Sequence, residues 1–307
     1  MMKIAIAQLN PIVGDLTGNV ERLLVRANEA KAAGAGLLVA PELALCGYPP
    51  EDLLFRHDFI EACAKALQQL ARQVNGIRVL VGHPQQVDGR LFNAASLLGE
   101  GRVLGTYLKQ RLPNYQVFDE ARYFAAGDKP FVFEHEGVKV GVLICEDIWF
   151  AEPVVACKAA GAEMLLVLNA SPYDFQKLHL RYDVVRARVA ECGLPTLYVH
   201  MTGGQDELLF DGASFAMNAD GVVAYQEREF VDVLGMVEWQ GGRPSGRFFG
   251  PQHEPLSVEA SVYQALVVAL RDYVEKNRFP GVLLGLSGGV DSALTLAIAV
   301  DALGAAR

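Results

Sequence analysis

Residues 138–150 read VKVGVLICEDIWF, and the fold turns on how they are read. The stretch 138–145 is nearly continuous in apolar residues, the pattern of a strand covered on both faces. Cys145 closes that run, and Glu146 and Asp147 come directly after it. Two other runs end the same way: GAGLLVAPEL (34–43) delivers Glu42, and GRVLGTYLK (101–109) delivers Lys109. An ionisable group at the exit of a buried strand is held rigidly at the rim of a sheet, where α/β proteins place their sites.

Outward from these runs, short strand-like and helix-like segments alternate. Strands are expected at 3–9, 36–43, 77–82, 92–98, 103–109, 138–145, 164–169 and 196–201. Helices are expected at 19–33, 58–74, 152–160 and 175–191, where apolar residues recur at three- and four-residue spacing. Residues 207–226 read as a hairpin turning at Asn218-Ala219-Asp220-Gly221, and 230–239 as one more strand. The stretch 241–257 is rich in Gly and Pro, has no period, and reads as a linker. Beyond it come an amphipathic helix at 258–276, an apolar strand-like run at 282–286, a glycine turn and a second helix. The expected organisation is one mixed α/β domain over 1–240, a linker over 241–257, and the start of a second domain over 258–307.

The bulk composition is that of a folded enzyme. Of 307 residues 51% are hydrophobic and 21% charged, too apolar for disorder. A net charge of -9 argues against a general nucleic-acid binder, because no basic surface is available to neutralise phosphates. No apolar run approaches a membrane span. Five cysteines without close pairing suit a reduced, cytoplasmic setting.

Taken singly, the rim residues are weak signals. A strand cysteine is usually inert core, and Cys46, Cys63, Cys157 and Cys192 keep that reading. Glu42 follows a proline and fits a solvated turn, and Lys109 fits a strand-end lysine reaching to water. Together they suggest amide cleavage. A thiol nucleophile needs a base, and no histidine stands in a local cysteine-protease pattern. A carboxylate in a partly dry pocket can serve, and a lysine beside it can steady a developing oxyanion. The backbone N–H of Glu146 is a natural second oxyanion donor.

The stretches APELALCGYPPEDLL, YLKQRLPNYQVFDEARYF and GVLICEDIWF resemble the Glu, Lys and Cys motifs of the nitrilase, or carbon–nitrogen hydrolase, superfamily. The resemblance is closer to the glutaminase domain of the glutamine-dependent NAD+ synthetases. NASPY (169–173), GGQDELLFDGASF (203–215) and SGGVDS (287–292) also fit that subfamily, so the resemblance spans essentially the whole chain. It implies an αββα sandwich followed by the first strand-loop-helix of a doubly wound synthetase domain. It implies Glu42 as general base, Lys109 as oxyanion stabiliser, Cys145 as nucleophile and Glu120 as support for the lysine. Tyr115, Glu146, Ser171 and Lys177 match positions that hold the glutamine substrate, although Asp174-Phe175-Gln176 before Lys177 departs from the usual form. No metal is implied for the glutaminase step.

The terminal turn lacks the Gly-Lys-Ser/Thr ending of a Walker A loop and resembles the pyrophosphate loop of ATP-pyrophosphatase synthetases. Gly285, Leu286, Ser287, Gly288, Gly289, Val290, Asp291 and Ser292 are then expected to meet ATP, with Asp291 on Mg2+. An ordinary strand-to-helix turn is the plainer reading. The resemblance further implies L-glutamine, nicotinic acid adenine dinucleotide and ATP as substrates, and a homo-oligomer. The 258–307 stretch is expected to be a truncated start of the synthetase domain, unable to bury its apolar faces alone. A free-standing nitrilase-type amidase, or an ammonia-donating subunit that docks on a separate synthetase, stand as alternatives.

Overall fold

Strand β1 (Met2–Gln8) sends Ile4 and Ile6 into one core and Ala5 and Ala7 into another. That two-residue alternation sorts large side chains toward a facing sheet and small ones toward covering helices. The computed structural model describes residues 1–241 and 246–307, so residues 242–245 of the expected linker lie outside the described residues. After β1 the chain forms α1 (Leu16–Ala32), β2 (Leu37–Val39), α2 (His57–Gln73), β3 (Arg78–Val87), β4 (Arg90–Gly99), β5 (Arg102–Leu108) and the short α3 (Glu120–Tyr123). Next come β6 (Phe131–His135), β7 (Val138–Ile144), a single turn of 3-10 helix at Cys145–Trp149, α4 (Ala151–Ala159), β8 (Met164–Asn169), α5 (Lys177–Cys192) and β9 (Thr196–His200). The last part holds β10 (Thr202–Gln205), β11 (Leu208–Asp211), β12 (Phe215–Met217), β13 (Val223–Gln226), β14 (Val233–Gln240), β15 (Arg247–Phe249), α6 (Val258–Lys276) and α7 (Val290–Leu303).

Two sheets form the centre. A seven-stranded sheet runs β15-β14-β1-β2-β3-β4-β5, and a six-stranded sheet runs β13-β12-β9-β8-β7-β6. Ile4, Ile6, Val39 and Leu97 of the first sheet share one buried cluster with Val142, Ile144, Leu166 and Val199 of the second. Helices α1 and α2 cover the other face of the first sheet through Val20, Leu23, Leu67 and Leu70. Helix α5 packs against the second sheet, with α4 beside it. This is the expected αββα sandwich. Asp15 caps α1 by accepting from Gly18 N–H at 3.0 Å. The turn at Asn218–Gly221 forms as expected, with Gly221 N–H donating to Asn218 O at 2.9 Å, but the hairpin is only β12 and β13: Leu208–Asp211 pairs instead with β10.

Register decides where strands end together. Ile144 pairs with Leu168 in the parallel β7–β8 ladder, so Cys145 and Asn169 leave at the same rim. In the antiparallel β4–β5 ladder Ala94 faces Leu108, and Lys109 N–H donates to Asn93 O at 2.8 Å.

Unexpected strands appear at β6 and β10, and beyond residue 240 the structure departs from expectation in three places. The 282–286 run forms no strand: Leu283 is fully exposed and Leu286 is 60% exposed. A strand needs a neighbour to take its ladder hydrogen bonds, and none lies beside it among the described residues. Helix α6 does not stand alone. It packs on β10 and β11, where Asp272 Oδ2 accepts from Asn10 Nδ2 and Gly204 N–H, both at 2.7 Å. From within the stretch read as a linker, β15 returns to pair with β14 at the edge of the first sheet.

Candidate active site

Glu42, Lys109 and Glu120 meet in one buried cluster. Lys109 Nζ donates to Glu42 Oε1 at 2.7 Å and to Glu120 Oε1 and Oε2 at 2.9 and 2.8 Å. Glu42 and Lys109 are fully buried. Two further donors hold the Glu42 carboxylate: Asn93 Nδ2 on Oε1 at 2.7 Å and Ala170 N–H on Oε2 at 3.0 Å. Tyr48 OH donates to Glu120 Oε1 at 3.2 Å. Burial opposes the charge on Lys109, but Glu120 and Glu42 outweigh it and hold its pKa well above the ordinary value. Burial and the neighbouring Glu42 outweigh Lys109 at Glu120, whose pKa is pushed up to about 7. Two carboxylates share one ammonium, so the cluster has room for one extra proton.

Cys145 stands where β7 breaks into the 3-10 turn, with φ at 44°. A side chain in that left-handed region costs about 1–3 kcal/mol, and such positions concentrate at functional sites. Burial, and then the charge of Glu42, push the thiol pKa well above its usual value, with Lys109 pulling the other way. Cys145 therefore rests as a thiol, and a base must take its proton as it reacts. Leu43, next to Glu42, also has positive φ, at 48°. Its turn presses on β3: a Cβ on Gly82 would lie 2.4 Å from Leu43 N and 2.6 Å from Pro41 O.

The elbow and the lysine loop are tied by Asp147, which is fully buried. Its Oδ2 accepts from Ile144 N–H at 3.0 Å and Tyr107 OH at 2.8 Å, and its Oδ1 from Gln110 N–H at 3.0 Å and Arg111 N–H at 2.8 Å. Burial raises its pKa to about 6, against those donors. Tyr115 OH donates to Glu146 Oε2 at 3.0 Å, and burial raises the Glu146 pKa, with Tyr115 opposing. Lys177 Nζ lies 5.1 Å from the centre of the Trp149 ring and lines a cleft with Phe118 and Tyr173. Ser171 is buried at the exit of β8. Its N–H donates to His200 Nε2 at 2.9 Å, and its carbonyl accepts from Arg181, which pairs with Asp211 at 2.7 Å. Burial and Arg181 lower the His200 pKa to about 4, so the ring is neutral and serves as a scaffold.

All eight expected residues of the amide site therefore lie at or around one rim. Sequence reading passed over Asn93, Tyr48, Asp147 and the Arg181–Asp211–His200 group. Asn93 had a signal: with Ser96 it is one of two polar residues inside the mostly apolar LFNAASLL. The others carry no local pattern that separates them from surface polar residues.

The terminal turn is exposed from Leu283 to Asp291. Gly288 has φ at 84°, α7 begins at Val290, and Ser287 and Ser292 hydroxyls lie 3.1 Å apart. A Cβ on Gly285 or Gly288 would meet nothing within 4 Å. Open space above a helix start with two hydroxyls fits a phosphate group.

Residues 3–240 match the family model described as carbon-nitrogen hydrolase. The chain belongs to the carbon–nitrogen hydrolase family. Residues 262–307 of this hydrolase match the NAD synthase model. The glutamine-dependent NAD(+) synthetase of Acinetobacter baylyi is 45% identical over 304 residues, covering 99% of this chain and 56% of that relative. The chain thus spans about half the length of the curated relatives it matches. A structure of glutamine-dependent NAD+ synthetase from Acinetobacter baumannii with adenosine diphosphate superposes with a TM-score of 0.94 at 42% identity, covering 100% of this chain and 58% of that one. A mutant of the amidase from Nesterenkonia sp. AN1, showing the result of Michael addition of acrylamide at the active-site cysteine, matches at 27% identity and a TM-score of 0.67 over 77% of this chain and 91% of that one.

Proposed function

We propose that this hydrolase cleaves the side-chain amide of L-glutamine and that the ammonia serves the ATP-dependent amidation of nicotinic acid adenine dinucleotide to NAD+. The observation that carries the reading is the buried Glu42–Lys109–Glu120 cluster beside Cys145, in a chain 45% identical over 99% of its length to a glutamine-dependent NAD(+) synthetase. The match of 262–307 to the NAD synthase model favours it over a free-standing amidase.

Cys145 Sγ attacks the amide carbon while Glu42 takes the thiol proton. The tetrahedral oxyanion is met by Lys109 and the Glu146 backbone N–H. Glu42 returns the proton to the amide nitrogen, the C–N bond breaks, and ammonia leaves a thioester. Water, deprotonated by Glu42, attacks that thioester and releases glutamate and the thiol. Glu120 holds Lys109 in place. Tyr115 and Glu146 face the α-amino group, Lys177 the α-carboxylate, and Ser171 the substrate backbone.

Residues 1–240 supply this chemistry, and 258–307 begin the unit that takes ATP through Gly285–Ser292, with Asp291 on Mg2+. Five free, buried cysteines support a reducing cytoplasmic setting. The test is glutamate release from glutamine by the chain and by Cys145→Ala, with ammonia measured alongside. Glutamate at equal rates from both proteins refutes the assignment.

A further inference from the structure

The lone pairs of the Glu42 carboxylate are unevenly filled. A carboxylate offers about four acceptor positions, two on each oxygen. Oε1 already accepts two short bonds, from Lys109 Nζ and Asn93 Nδ2, both at 2.7 Å. Oε2 accepts one, from Ala170 N–H at 3.0 Å. We infer that Asn93 is a positioning residue that, with Lys109, closes Oε1 to protons and leaves Oε2 as the atom that takes and returns the proton of Cys145.

This deepens the proposed amide chemistry and rests on Glu42 being the base. Asn93 is fully buried on β4, and its Oδ1 has no partner among the described residues. An unpaired buried acceptor costs stability. An apolar side chain of similar volume would avoid that cost, so packing alone does not account for an asparagine here. Its Nδ2 bond to Glu42 does. Lys109 alone would leave Oε1 a second vacant position, and the proton would have two places to go. With both donors present, the vacant position lies on the oxygen held by the backbone where β8 exits, on the sheet that also carries Cys145.

The groups whose fields reach this cluster are Lys109 after β5, Tyr115 beyond it, Glu120 on α3, Tyr48 before α2, Tyr198 on β9, and Cys145, Glu146 and Asp147 at the elbow. Glu120 and Asp147 are the two whose own titrations fall near neutrality, so Glu120→Gln serves as a background that removes the one in contact with Lys109.

The test measures alkylation of Cys145 by iodoacetamide across pH, read by mass spectrometry of the Cys145 peptide. This readout does not depend on which amide is the substrate. In the wild type and in Glu120→Gln the rate rises along an acidic limb, and Glu42→Gln abolishes the limb. A limb that survives Glu42→Gln overturns the reading of Glu42 as base. With that limb assigned, Asn93→Ala moves it upward by about one to two pH units, the size expected when an ionised carboxylate loses one donor. Asn93→Asp, equal in volume, places an acid against Oε1 and moves the limb at least as far. A limb that stays put in both variants, with only the rate or the melting temperature lowered, overturns the inference even if glutamine proves to be the substrate.

Discussion

At Cys145 the backbone is held in a left-handed conformation by the turn it enters, since Asp147 Oδ2 grips Ile144 N–H just before the bend. Because burial keeps the thiol protonated, chemistry depends on the base rather than on a resting thiolate. Cys145→Ala is expected to abolish glutamate release with the melting temperature little changed, and an electrophilic glutamine analogue should label Cys145 and spare the other four thiols. Labelling spread over Cys46 or Cys192 would count against the site. Glu42→Gln is expected to cost several orders of magnitude in kcat, because groups that act as a unit lose most of their effect together. At Asp147, Asn keeps one acceptor and turns an N–H pair toward Ile144 N–H, which can only donate, while Tyr107 OH can turn to accept. Burying the mismatched donor pair costs about 1–3 kcal/mol, so thermal melts of Asp147→Asn should fall below the wild type, with kcat falling as the elbow and the lysine loop part.

At the scale of elements, the site depends on where strands stop and on what lets a turn come close. Gly82 on β3 belongs to this group, since any Cβ there would run into the backbone of the Glu42 turn. Gly82→Ala is expected to lower kcat by about a hundredfold, the effect of displacing a catalytic group by about an ångström, while circular dichroism stays that of the wild type. Gly127 supports the lysine in the same way: its N–H donates to Lys109 O at 2.8 Å, and a Cβ there would meet Leu108 O at 2.4 Å. Helix α6 is fastened to the first unit through Asp272, Lys276 and Ser261 and through packing of Ala265 and Val268 on Phe230. Asp272→Ala would strand Gly204 N–H and Asn10 Nδ2 without their acceptor, at about 1–3 kcal/mol for each buried donor. Limited proteolysis should then cut α6 sooner than in the wild type, and an unchanged digestion pattern would show that the Lys276 and Ser261 bonds and the apolar packing of Val268 suffice.

Across the whole molecule, buried acids set a pH dependence of stability. The folded pKa of Glu120 is raised from 4.5 to about 7. Between those values the folded protein holds a proton that the unfolded chain releases, so this group's contribution is full below the unfolded pKa and is lost as pH rises through the folded one. Urea midpoints of Glu120→Gln compared with the wild type should therefore shift in the variant's favour from pH 4.5 to pH 7. A gap that does not change with pH would mean that folding does not raise the Glu120 pKa. At the other end of the molecule, the turn at Ser287–Ser292 is exposed and no strand flanks it among the described residues. An anion site that is not held by its surroundings loses the preorganisation that makes binding favourable. Calorimetric titration of this chain with Mg-ATP should show weak binding or none, and tight stoichiometric binding would contradict that.

Much of this was present in the order of residues. Apolar runs that end in Glu42 and Cys145 mark two buried strands with a charge or thiol at the exit, because a run covered on both faces can place a polar group only at its end, whereas the run that ends in Lys109 is a half-buried strand at the edge of its sheet. Helix periods located α1, α2, α4, α5 and α6 to within a few residues. The tertiary structure decided what touches what. Asn93, Tyr48 and Asp147 reach the site only because the β4–β5 register, the chain after Glu42 and the 3-10 turn bring them there, and no local period records a contact between residues 51 apart such as Asn93 and Glu42. The 282–286 run illustrates the same limit from the other side. Its composition is that of a strand, yet a strand exists only as a partner in a ladder, and among the described residues none is beside it.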